Sequence, residues 1–473
     1  MPPIKCDDTR FLSEPLITPS TTNEPVNGHV THERQRNLEY TQEVPPGLIA
    51  YEHENPELFE KGAHWLQTTS ALLALQLGWG LWLFPADFAR LGWLTGLGCM
   101  ITLATLTVYS GFLFSRLYAT TPGAVLFGDI GYKAAGHFGR RIVYIIIYSL
   151  DATRCVILHL AAAQSLRHVF PEETRPPCWQ CGLVVLVVAS LIVQVRSLAK
   201  LSWVFSTGTG SQLIAIGIVL YELVIDPNPE AKRSPQAVTW DNLIPASVAV
   251  MNMIFAFGGQ FAFIEIMSSM KRPSEFPRAV TLCTTLMGLL YGTVGVIGYW
   301  SRGDEIDGIV IFSLGDSPHV RVAAALILVQ ATSQYLVNLN VWTHNLLTLL
   351  ARSTSEARAL DIHCSTDHCP WKWARTSLFV VLYSYLISTS IPYFSTLVGL
   401  VTSSTYLLSA YGLPAWFSLR LLGGSLSVVE RMLLCSLIPM VVVFSGVGLY
   451  SSISALINDV QSGEGGGWSS SHP

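Results

Sequence analysis

Charge is what this sequence has least of. Only 13% of its 473 residues are Asp, Glu, Lys or Arg, against about a quarter in a soluble domain, which is too few to cover a water-facing surface. A basic excess is missing as well: the formal net charge is -4 and the pI about 6.3, which sets nucleic acid aside as a partner. No HExxH pair or GxSxG elbow occurs, so the clusters that a membrane-embedded enzyme would carry are not there. Nor does a repeated filter element of the kind that builds a channel. The nine cysteines are scattered, which argues against a disulfide framework. Cys178 and Cys181 share one loop and are either bridged or free thiols. No cofactor is implied.

What is present is apolar. Hydrophobic residues make up 50% of the chain, and the mean hydropathy is +0.43. Residues 1–65 hold 11 acidic and 5 basic side chains out of the chain's 32 and 28. With its eight prolines, the segment 1–62 buries too little to fold, and it reads as a disordered cytosolic tail without an apolar run of signal-peptide length. The Gly/Ser-rich stretch 458–473 reads as a second disordered end. Between them, 63–457 reads as an all-α, polytopic transmembrane domain in contact with the lipid bilayer.

A spanning helix needs about 20 mostly apolar residues. Eleven candidates satisfy this at 65–88, 92–118, 140–168, 180–196, 200–224, 244–270, 279–300, 320–350, 375–391, 393–419 and 429–457. Pro392 marks a turn between the ninth and tenth, which together are too long for one crossing. With the tail in the cytosol, the inner loops carry fifteen Lys and Arg and the outer loops seven, which favours that orientation and puts the far end outside.

Two spans carry interruptions. The first reads Gly78-Trp79-Gly80 and then Pro85, and the sixth reads Phe257-Gly258-Gly259-Gln260. Glycine and proline are unfavourable in a helix interior. One reading is close packing by small residues. The other is a pair of unwound segments opening two five-helix halves, the sequence pointer to a transporter's binding site. Unwound backbone at membrane depth is tolerated only inside protein or along a cavity, and it offers N–H groups to a carboxylate.

At these residues the chain resembles the amino acid/auxin permease family, and within it the fungal neutral amino acid permeases. The carriers of the likeness are Gly78 to Pro85, Leu91-Gly92-Trp93, Asp129-Ile130-Gly131, and above all Phe255 through Gln260 to Met270-Lys271-Arg272-Pro273-Ser274-Glu275-Phe276-Pro277. The resemblance implies a LeuT-like core of two inverted five-helix repeats plus one extra helix. It further implies secondary active transport of a small-molecule substrate, a neutral amino acid, by alternating access. The coupling ion it implies is a proton more than sodium, and the plasma membrane is the expected location. A transport-inactive amino acid sensor of the same fold is the alternative, because Trp79 and Trp82 stand where the family has small or aliphatic residues.

Several polar or aromatic side chains in the spans have both a structural and a functional reading. Asp151 and Arg154 share a helix face at i,i+3, either as a self-neutralising pair or as a gated proton relay. Glu265 is a proton site, a substrate-amine partner, or a snorkelling side chain. Thr332, Ser333, Gln334, Asn338 and Asn340 on the eighth span either supply oxygens to a cation or tie helices together. Tyr144 and Tyr148 either close the pocket or pack. His363-Cys364 and His368-Cys369 offer zinc-type ligands in one short cluster, but without a folded module no metal site is expected.

Overall fold

The computed structural model of the chain describes residues 62–195, 198–228, 243–306, 308–353, 370–391 and 393–462. The tail 1–61, the last residues 463–473, Pro392, and the His363-Cys364 and His368-Cys369 cluster lie outside the described residues.

The described chain is helical apart from turns and one isolated bridge between Ala63 and Met270. Its helices are α1 (Trp65–Gln76), α2 (Phe84–Leu91), α3 (Trp93–Thr120), α4 (Phe127–Val169), α5 (Cys178–Ile192), α6 (Leu198–Ile225), α7 (Leu243–Ala256), α8 (Phe263–Ser268), α9 (Phe276–Arg302), α10 (Pro318–Ser353), α11 (Pro370–Ser390), α12 (Phe394–Val401), α13 (Leu413–Leu421) and α14 (Val428–Ser462). Short 3-10 turns, Trp79–Leu83 and Gln260–Ala262, lead into α2 and α8. Two π-helical stretches, Thr402–Tyr406 and Leu408–Gly412, join α12 to α13.

Among the described residues, seven helices are long and apolar enough to cross a membrane, and the number rises to nine if each of two bent pairs is one span. The pairs are α1 with the segment Trp79–Leu91, bent by 53°, and α11 with Phe394–Leu421, bent by 120°. At 15 residues, α5 is shorter than a straight crossing requires. The boundaries differ from the sequence reading in two places. Helix α4 starts at Phe127 rather than near 140, because a kink at Ala135 and Gly136 joins an earlier helical stretch to it. Gly136 holds φ +62°, a left-handed backbone that favours glycine. At the other end α14 runs on to Ser462, so residues 458–462 continue a helix instead of opening a loose end.

Burial separates a centre from a rim. In the segment Leu243–Ser268, 72% of the most apolar window is buried, against 17% in Val428–Gln461. The α14 window is also very apolar, with mean hydropathy 2.3. An apolar surface of that kind left uncovered by protein is what a lipid-facing helix needs. Helix α10 lies along α4 and α6, α9 along α1, α2 and α3, and α7 between α2, α12 and α14. The two interrupted helices therefore sit at the centre of the bundle.

Candidate functional site

The first interruption begins at Leu77, whose backbone is extended, and Gly78, at φ -142° and ψ -144°. Helical bonding resumes in the turn from Trp79, and Pro85 sits in the first turn of α2, where its missing N–H costs nothing. The carbonyls at the end of α1 lose their intrahelical donors. Side chains from three other helices replace them. Gln330 Nε2 donates to the Leu77 carbonyl at 2.8 Å and Gln212 Nε2 to that of Gly78 at 3.4 Å. Gln334 Nε2 reaches the carbonyls of Ala74 at 3.2 Å and of Leu75 and Leu77 at 3.5 Å. The Tyr291 hydroxyl donates to Gln76 O at 3.2 Å and also to Ala256 O, at the end of α7, at 3.1 Å. On the other side of the break, no acceptor for the N–H groups of Gly78, Trp79 or Gly80 is found among the described residues.

The second interruption holds itself together. Gln260 Oε1 accepts the Gly259 N–H at 2.8 Å, and its Nε2 donates to the Phe257 carbonyl at 3.3 Å and to Thr107 Oγ1 at 3.4 Å. The two breaks meet. A Cβ on Gly80 would lie 2.7 Å from Ala256 Cβ, and one on Gly259 would collide with the Gln76 side chain. A Cβ on Gly78 would fall 2.6 Å from Gln334 Oε1, and one on Gly258 would enter the Tyr406 ring. Both readings of the glycines hold together here: the helices are broken, and the glycines let the broken parts touch.

The remaining expectations divide. The Trp79 ring packs against Phe394 (centroids 4.9 Å apart) and Phe312 (6.4 Å), and Phe257 against Tyr291 and Phe84. Trp79 and Phe257 are buried among these rings, and the Trp79 indole Nε1–H has no hydrogen-bond partner among the described residues. Tyr148 stacks on Tyr144 and lies beside Trp342 of α10. Asp151 and Arg154 share a face but do not form the expected ion pair among the described residues. Asn345 Nδ2 donates to Asp151 Oδ2 at 3.0 Å, while the Arg154 guanidinium lies over the Phe261 ring, 4.8 Å from its centroid. Arg154 thus comes to the second break. Glu265 itself is exposed, within Coulombic reach of Asp151. Asn338 donates to the Asp151 carbonyl and to Cys155 Sγ of α4, and Asn340 to the Val195 carbonyl in the segment that follows α5. Cys178 and Cys181 are free thiols.

Four buried groups escaped the sequence reading: Gln212, Gln330, Asp87 and Asn252. Asp87 matters most. It is fully buried on α2, at 0% exposure, against 3% for Asp151 and an exposed Glu265. The signal was there, an ionisable residue inside an apolar span, masked by its place in the last turn of the first segment. Gln330 and Gln334 are spaced i,i+4 and therefore face one way.

A profile of the family described as "Transmembrane amino acid transporter protein" matches residues 61–458. Among curated proteins, the chain is similar to three amino acid transporters of Arabidopsis thaliana. It is 26% identical to AVT1D over 81% of this chain and 68% of the relative. It is 27% identical to AVT1E over 78% and 69%, and 22% identical to AVT1H over 88% and 96%. These relatives are plant transporters and not fungal neutral permeases, so the likeness is upheld at the level of the family and corrected at the level of the branch.

Proposed function

Because the chain belongs to the transmembrane amino acid transporter family, we propose that it moves neutral amino acids across a membrane by alternating access, driven by protons. The observation that carries this reading is the meeting of two interrupted helices at Gly80 and Ala256 in the buried centre of the bundle. The N–H groups of Gly78, Trp79 and Gly80 open a new helical turn there, and a helix N-terminus favours a carboxylate. Buried aromatic and aliphatic neighbours suit an uncharged substrate side chain, and Arg154 is the residue that would break that preference.

An eleven-span, LeuT-like arrangement accounts for the helices. The 120° bend between α11 and Phe394–Leu421 suits a reversal of direction, not one long crossing, and α5 supplies the remaining short span. Protons are favoured over sodium because the carbonyls freed at the first break already receive amide hydrogens from Gln212, Gln330 and Gln334. A cation there would compete with three fixed donors. Asp151 and Glu265, coupled electrostatically, are the proton-carrying candidates on the inner side.

Uptake of radiolabelled amino acids by liposomes containing the full chain tests the reading. Uptake of leucine or phenylalanine that rises with an imposed acid-outside step and ignores sodium is the expected result, with weak competition by lysine and glutamate. Binding without flux would make the protein a sensor. Asp151→Asn and Glu265→Gln, each retaining full pH-driven uptake, would remove both carboxylates from the coupling role. The sequence reading places the carrier in the plasma membrane, and co-localisation of the tagged chain with an internal-membrane marker is the result that would move it.

A further inference from the structure

Asp87 on α2 and Asn252 on α7 are both 0% exposed. Asn252 Nδ2 donates to Asp87 Oδ1 at 2.9 Å and, with its second hydrogen, to Ser395 Oγ of α12 at 2.8 Å. The donor capacity of that amide is then full. Among the described residues, two acceptors in the same pair have no partner: Asp87 Oδ2 and Asn252 Oδ1. A buried acceptor without a donor is costly. Two such acceptors on adjacent groups share a single remedy, since one proton on Asp87 Oδ2 creates an O–H donor for Asn252 Oδ1. The cyclic acid–amide pair then closes with two hydrogen bonds in place of one.

Arg90 is a charged neighbour of Asp87, and its guanidinium donates to Ser395 Oγ at 3.2 Å. The facing groups of α7 and α12 are the neutral Asn252 and Ser395. From α9, the Tyr291 hydroxyl is engaged with the Gln76 and Ala256 carbonyls and that of Tyr299 with Asp304, while Arg302 pairs with Asp226. The one Lys or Arg of α3, Arg116, pairs with Glu430.

We propose that Asp87 and Asn252 form a proton-operated clasp between the two interrupted helices, closed when one proton binds Asp87 Oδ2. On the positive-inside orientation, α2 and the α7 end it joins are the outer halves of their helices. Protonation from outside then draws those halves together, and loss of the proton loosens them. That links the direction in which the site opens to the proton gradient. The proposal rests on the proton-coupled reading given above.

The test uses the full chain in liposomes and Asp87→Asn, whose amide reproduces the closed pair without a titrating group. At one proton per substrate, a pH step of one unit concentrates substrate by at most about tenfold. The parent should approach that accumulation, and D87N should lose it while exchange of labelled for unlabelled substrate falls by a smaller factor. In addition, the infrared difference spectrum of the parent between high and low pH should contain a protonated-carboxyl band that is missing from D87N and displaced in Asn252→Ala. Parent uptake that responds to pH together with a D87N response of equal size overturns the clasp alone, as does an unchanged carboxyl band in D87N. Parent uptake that ignores pH overturns the proton-coupled reading, and the clasp with it.

Discussion

The two interruptions solve the same problem by opposite means. At the first, the freed carbonyls are met by Gln212, Gln330, Gln334 and Tyr291, which belong to α6, α10 and α9. At the second, Gln260 folds back on Gly259 and Phe257, its own neighbours in sequence, and the outside hydrogen bonds among the described residues are limited to Tyr291 on the Ala256 carbonyl and Thr107 on Gln260 Nε2. A break capped from elsewhere is coupled to the position of the helices that cap it. A break capped mainly by its own residues depends less on the position of its surroundings. The first interruption is therefore the one whose geometry can change as α6 and α10 shift against α1.

The largest effect is expected where the two breaks touch. Gly80→Val places a branched side chain on the Ala256 methyl group, and overpacking of this kind costs about 1–3 kcal/mol. The variant should reach the membrane, melt earlier in detergent and lose uptake. Normal uptake by it would mean that the contact between the breaks is dispensable.

Next in size are the caps. Gln330→Leu combined with Gln334→Leu leaves buried carbonyls without donors, at about 1–3 kcal/mol for each amide removed. Gln260→Leu removes one short bond and two long ones, and it should cost nearer about 1 kcal/mol. Thermal unfolding of the purified variants ranks them. A Gln260 variant that falls further than the double variant would reverse the comparison. The smallest effect belongs to the rim: Val443→Ala on α14, at an exposed position, should change stability by less than about 0.5 kcal/mol.

Some of this was legible without a structure. The apolar runs located the helices, because a segment that must satisfy its own backbone in lipid has to be helical and about 20 residues long. The glycines marked both breaks, since a glycine-interrupted span is unfavourable unless the interruption has a use. The partners were not legible. Asp151 and Arg154 stand three apart, yet Asp151 bonds Asn345 of α10 and Arg154 crosses to Phe261. Spacing on one helix says which residues share a face and nothing of what faces them.

The same limit explains Asp87. The sequence by itself determined that the chain is an all-helical membrane protein with two broken helices, because hydropathy and backbone preference act over neighbouring residues. Only the tertiary structure decided that Gln330 caps a carbonyl 253 positions away in the chain, and that Asp87 meets an amide 165 positions away. In a buried bundle a polar group takes whatever donor or acceptor the packing of other helices brings within about 3 Å, and that choice is not written along any one helix.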